Sequence, residues 1–85
     1  MFSVYILKSK KDKNLYIGYT PNLRKRLKEH NLGLVHSTKS RKPLYLVYYE
    51  AYASKQDATK RENNLKLRTK ALRQLKNRIA GSLEV

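Results

Sequence analysis

The spacing of apolar and polar residues divides the chain into short alternating segments and longer periodic ones. Phe2 to Lys8 alternates and carries the β-formers Val4, Tyr5 and Ile6, which predicts a strand. Ser9 to Asn14 is polar turn material. Leu15 to Thr20, with Tyr16, Ile17 and Tyr19, predicts a second strand and hence a β-hairpin. If Lys8 and Lys13 flank the turn, Tyr5 lies opposite Tyr16. Thr20 then reads as an N-cap and Pro21 as the first residue of a helix running to about Asn31, with Gly33 as its stop. Residues 34–43 form a basic loop, and Leu44 to Tyr52 is the clearest strand. Ser54, with Asp57 three residues on, caps a second helix that continues to about Arg68. Thr69 caps a third, Lys70 to about Ile79, which Gly81 ends. The order ββαβαα predicts an α+β fold with helices packed on a three-stranded sheet, one domain over residues 1–80 and a tail over 81–85.

Several polar residues fall where these helices should face inward. On the first helix Leu23 and Leu27 define the buried stripe, and Arg26 and His30 are the basic residues aimed toward the sheet. An edge arginine lying along the core and a satisfied boundary histidine would explain them equally well. On the second helix Ala58 and Leu65 mark the inner face, and Glu62 lies within one wheel position of them. Glu62 reads either as an i, i+4 ion pair with Lys66 on a solvated face, or as a carboxylate held at the core edge and compensated by a cation. Tyr48 and Tyr49 point to opposite faces of the third strand, where most tyrosines read as strand aromatics with wet hydroxyls.

Charge narrows the partner. Twenty Lys and Arg against six Asp and Glu leave a net charge of +14 on 85 residues, which calls for a polyanion. Nucleic acid is the first candidate. A membrane surface needs bulky apolar anchors, but the only Phe is Phe2 and there is no Trp. No apolar run approaches the ~18 residues of a membrane span. The N-terminus lacks the pattern of a signal peptide, and the absence of Cys removes disulfides and thiolate zinc sites. These features fit a cytoplasmic protein.

Val4-Tyr5-Ile6, then Tyr16-Ile17-Gly18, then Arg26-Leu27 with His30, then Lys60-Arg61-Glu62 in a basic helix, together resemble the GIY-YIG endonuclease family over nearly the whole chain. The resemblance is to small members that are little more than the nuclease domain. It implies a three-stranded antiparallel sheet with flanking helices. It also implies that Tyr5, Tyr16, Arg26, His30 and Glu62 are catalytic, that Gly18 permits close approach, and that Glu62 holds one Mg²⁺ or Mn²⁺ ion. Ser3 stands where the first motif glycine is expected.

The chemistry so implied is metal-dependent hydrolysis of DNA phosphodiesters, selective for structure, in DNA repair or recombination. One carboxylate suffices for a magnesium-type ion that completes its shell with water and phosphate oxygens. Arg26 offers a planar, two-pronged donor to phosphate, a role lysine fills poorly. Tyr5 is assigned as base, its pKa lowered by Arg26, the metal and the positive background; Tyr16 orients water or phosphate, His30 can share the proton work, and the sequence leaves open which of the three takes the proton. Lys39, Arg41, Lys42, Lys66, Arg68 and Lys70 are expected to hold phosphates without base specificity. DNA is the expected partner, branched, nicked or single-stranded, ahead of RNA. The alternatives are a nucleic-acid-binding module of the same fold that cuts poorly or not at all, and a basic RNA-associated structural protein.

Overall fold

The structure is a computed structural model and describes residues 1–67 and 70–84. In chain order its elements are β1 (Phe2–Ser9), β2 (Leu15–Thr20), α1 (Leu23–Asn31), β3 (Leu44–Tyr52), α2 (Lys55–Lys66), α3 (Lys70–Arg78) and α4 (Ala80–Leu83). The strands form one antiparallel sheet in the order β2-β1-β3, flanked by helices, which is the expected α+β class. No described helix is long and apolar enough to cross a membrane.

Alternation along β1 sends side chains into two separate interiors. Val4 and Ile6 join Ala58 and Leu65 of α2 and Leu72, Leu75 and Ile79 of the C-terminal region in the larger core. Tyr5 and Leu7 point to the other face, where they pack with Leu44, Tyr16, Leu46 and the α1 residues Leu23 and Leu27. The expected inner positions of both helices are therefore occupied as read. Tyr48 packs against the larger core, whereas Tyr49 is exposed.

The hairpin register differs from the expected one. Tyr5 pairs with Gly18, and Tyr16 with Leu7. The strands remain paired to Lys8 and Leu15, and the Ser9 amide donates to the Asn14 carbonyl at 3.1 Å, so the turn falls later in the chain. Lys13 closes it at φ 65, while Ser9 Oγ accepts from the amides of Lys11 and Asp12. A two-residue shift preserves the facing of side chains. Tyr5 and Tyr16 therefore stay on one face but sit diagonally, their ring centroids 6.4 Å apart.

The helix ends bring two further corrections. Asn22, not Thr20, caps α1: its side chain accepts from the Lys25 amide at 3.1 Å. Thr20 is the last residue of β2, and its hydroxyl accepts from the Asn22 amide, fixing the cap residue instead of acting as one. Gly33 stops α1 as expected, with φ 77. Gly81 does not terminate α3, which ends at Arg78; it lies inside α4, whose Leu83 packs on the larger core and whose Leu83 carbonyl accepts from Lys8 Nζ. The expected cap Thr69 and the end of α2 at Arg68 lie outside the described residues.

Gly18 has a specific steric duty. A Cβ there would overlap Tyr5 Cζ and the Tyr5 hydroxyl oxygen, because the Tyr5 ring lies across the strand at that point. Gly18→Ala should therefore cost about 1–3 kcal/mol through overpacking, read as a lowered thermal midpoint. An unchanged midpoint would mean that the ring does not occupy that space.

Candidate active site

Three fully buried polar side chains form a line behind the sheet. The Tyr5 hydroxyl meets His30 Nε2 at 2.8 Å, and His30 Nδ1 meets Thr38 Oγ1 at 2.7 Å. Their fractional exposures are 1 %, 0 % and 0 %. Each comes from a different element: Tyr5 from the central strand, His30 from the last turn of α1, and Thr38 from the loop before β3. The rings of Tyr5 and Tyr16 both stand edge-on to His30, with centroids at 5.7 and 5.1 Å.

Burial sets the protonation of this line. It pushes the Tyr5 phenol up to about 12, outweighing the opposing pull of Arg26. Among the groups of the protein itself, desolvation of a phenolate at this depth exceeds what one neighbouring guanidinium returns, so Arg26 does not by itself supply the expected lowering. His30 is pushed down to about 4, first by burial and then by the Arg26 charge. Both groups are neutral at neutral pH.

Arg26, on the flank of α1, interacts with the Tyr5 phenol and holds Glu29 at 3.2 Å with its side chain 37 % exposed, so it remains open to solvent. Glu62 arrives from the opposite layer. Its helix, α2, contributes Ala58 and Leu65 to the larger core, yet the Glu62 carboxylate acts electrostatically on Tyr5. It is only 16 % exposed and pairs with Lys66 at 2.8 Å, so the i, i+4 ion pair and the placement at the core edge coexist. Tyr16, partly buried, lines a cleft of about 640 Å³ together with Asn14, Leu72, Lys13, Lys66 and Lys76. Tyr5, Tyr16, Arg26 and His30 are thereby brought together, and Glu62 is linked to them through the smallest of the charge effects felt by Tyr5. Among the described residues no group of three or more His, Cys, Asp or Glu is arranged to cage a metal.

The expected phosphate contacts are less uniform. Lys39, Lys42, Lys66 and Lys70 are exposed. Arg41 gives Nε and Nη2 to Asp12, at 2.6 and 3.2 Å, and Nη2 also to the Asn14 carbonyl. Arg68 lies outside the described residues. Two contributors were not expected at all. Thr38 completes the buried line, and its only sequence signal is a hydroxyl residue within a cationic loop. Asn31 gives its amide to the Leu44 carbonyl at 2.8 Å and accepts from the Leu44 amide at 2.9 Å, fastening the end of α1 to the start of β3.

Residues 1–77 match the family described as GIY-YIG catalytic domain. A UPF0213 protein of Staphylococcus haemolyticus is 47% identical over 64 residues, 74% of this chain and 77% of that protein. A UPF0213 protein of Staphylococcus aureus is 44% identical over 78 residues, covering 88% of this chain and 94% of the relative. Among solved structures, the solution NMR structure of a UPF0213 protein from Bacillus halodurans superposes with a TM-score of 0.54 at 34% identity, covering 88% of this chain and 81% of that one.

The buried histidine carries a pH dependence with a defined sign. Its folded pKa of about 4 lies below the ordinary 6.5, so the unfolded chain binds the proton more readily. The stability it confers is complete above about pH 6.5 and is lost as pH falls toward about 4. Between pH 7.5 and 5 the loss should be about 2 kcal/mol, measured by denaturant titration. His30→Gln should flatten this slope; an equally steep slope in that variant would place its origin elsewhere.

Proposed function

Because the chain belongs to the GIY-YIG family of nucleases, we propose that it is a divalent-metal-dependent endonuclease that hydrolyses DNA phosphodiester bonds, selecting structure over sequence, in DNA repair or recombination. The observation that carries this reading is the position of Glu62. In a chain of net charge +14, a little-exposed carboxylate acts on the same tyrosine as Arg26. A site made only to hold phosphate gains nothing from a negative charge there.

Glu62 is the residue that would hold one Mg²⁺ or Mn²⁺ ion. A single carboxylate fits a magnesium-type ion, whose remaining positions go to water and phosphate oxygens. Bound there, such an ion supplies polarisation of the phosphate and charge for the departing 3′ oxygen. Arg26 turns its exposed guanidinium to the non-bridging phosphate oxygens. Tyr16, on the cleft wall, is the phenol that meets the attacking water. Tyr5, expected as the base, is fully buried and hydrogen-bonded to His30, and forms the wall against which water and phosphate are held. The exposed Lys39, Lys42, Lys66 and Lys70 attract the backbone of the strand.

A second reading, a nucleic-acid-binding module with little or no cleavage, is favoured by one contact: Lys66 already neutralises Glu62 at 2.8 Å. A panel of single-stranded, duplex, flap and branched DNA, incubated with and without divalent metal, separates the two. Metal-dependent nicking supports the enzyme; binding without nicking on every substrate supports the module. Glu62→Gln should abolish nicking while DNA binding persists or tightens slightly, and cleavage at the original rate would remove the metal role. Arg26→Lys keeps the charge but not the planar fork, and should lose most of the activity; near-normal rates would exclude two-pronged phosphate contact.

A further inference from the structure

We propose that Thr38 is a positioning residue, whose hydroxyl oxygen holds the His30 ring with its proton on Nδ1 and so keeps Nε2 as the acceptor for the Tyr5 hydroxyl. The catalytic consequence rests on the nuclease reading above; the hydrogen-bond arrangement does not.

The assignment follows from counting donors and acceptors. Tyr5, His30 and Thr38 are at most 1 % exposed, so solvent does not substitute for a missing partner. A buried phenol O–H requires an acceptor. The Tyr5 hydroxyl has two polar neighbours, His30 Nε2 and the Arg26 guanidinium. A guanidinium only donates, so Nε2 must accept. His30 is neutral, which leaves its one proton on Nδ1, directed at Thr38 Oγ1 2.7 Å away. In the other tautomer Nε2–H would donate to the phenol oxygen, and the Tyr5 O–H would be left with only donors around it and no acceptor. Removing the Thr38 oxygen strands a buried N–H and favours that mismatch.

Thr38 is itself held. Its amide donates to the Val35 carbonyl at 3.1 Å, and its carbonyl accepts from the Arg41 amide at 2.8 Å. Val35 is buried, and the Arg41 side chain is fixed to Asp12 on the hairpin turn. The loop that carries Lys39 and Lys42 is therefore fastened through Thr38 to the ring that faces both tyrosines.

The direct test is the ¹⁵N spectrum of the His30 ring in the unaltered chain, assigned against His36, the only other histidine. A protonated Nδ1 and a bare Nε2 at neutral pH are expected; a proton on Nε2 would overturn the proposal without any variant being made. Thr38→Val should move the ring toward the Nε2–H form and lower kcat on the order of tenfold to hundredfold at similar KM, as for other supporting-shell losses. Thr38→Ser should recover both the ring signature and the rate. A valine variant with the original ring signature would refute the role of the hydroxyl. Should the unaltered chain cleave nothing, the nuclease reading fails while the ring spectrum still decides the Thr38 assignment.

Discussion

Strand β1 separates two interiors on alternate residues, and everything else in the molecule is arranged around that alternation. Val4 and Ile6 belong to the core shared with α2 and α3, while Tyr5 and Leu7 belong to the face covered by α1. A slip of one residue would put the phenol into the aliphatic core and the aliphatics into the site. Both neighbouring strands guard against it. On one side Gly18 is the residue whose missing side chain accommodates the Tyr5 ring. On the other, a bulge between Ile6 and Leu7 lets the consecutive residues Val47 and Tyr48 both pack on the larger core, while Leu44 and Leu46 pack toward α1.

The few acids of this cationic chain are used as fasteners. Asp12 holds Arg41, Glu29 holds Arg26, Glu50 holds Arg61 and Glu62 holds Lys66. The Glu50 pair matters most for the site. Glu50 receives Nε and Nη2 of Arg61 as well as the hydroxyls of Tyr48 and Tyr52. Burial raises its pKa, but these donors outweigh burial and the net shift is downward, so it stays ionised. The clamp fixes the rotation of α2 about its axis. Glu62 is the next residue, about 100° further round the helix. Setting Arg61 against β3 therefore also sets the direction in which Glu62 leaves the helix. A carboxylate from one layer thus adds its charge to the field at a tyrosine belonging to the other.

Local periodicity made the strands, the helix faces and the inward aim of His30 and Glu62 legible, because each depends on spacings within one element. The pairing of Tyr5 with Gly18 was not legible, since turn length depends on how Ser9 and Lys13 fold the backbone. The cap of α1 moved from Thr20 to Asn22 because the strand claimed Thr20 first. Thr38 was invisible for a different reason: its partner lies eight residues away and its burial arises only when the loop packs over α1. The desolvation of Tyr5 was not legible either, because net charge is a property of the sequence, whereas desolvation is a property of depth.

The cationic rim divides in a way that bears on what the cleft recognises. Arg41 looks like a phosphate ligand by type, but its Nε and Nη2 are taken by Asp12 and the Asn14 carbonyl, and its own carbonyl accepts from Ser9 Oγ. Its work is to tie the hairpin turn to the loop that bears Thr38. The other cations lining the cleft are Lys13, Lys66 and Lys76. Lysines act as flexible point charges, whereas arginine imposes a planar geometry on its ligand. A wall of lysines attracts a phosphate backbone without reading bases. The arginine that interacts with Tyr5 and keeps part of its surface open to solvent is Arg26. Point charge and planar geometry thus belong to different residues: the lysines line the cleft, and one partly open guanidinium lies beside the buried tyrosine.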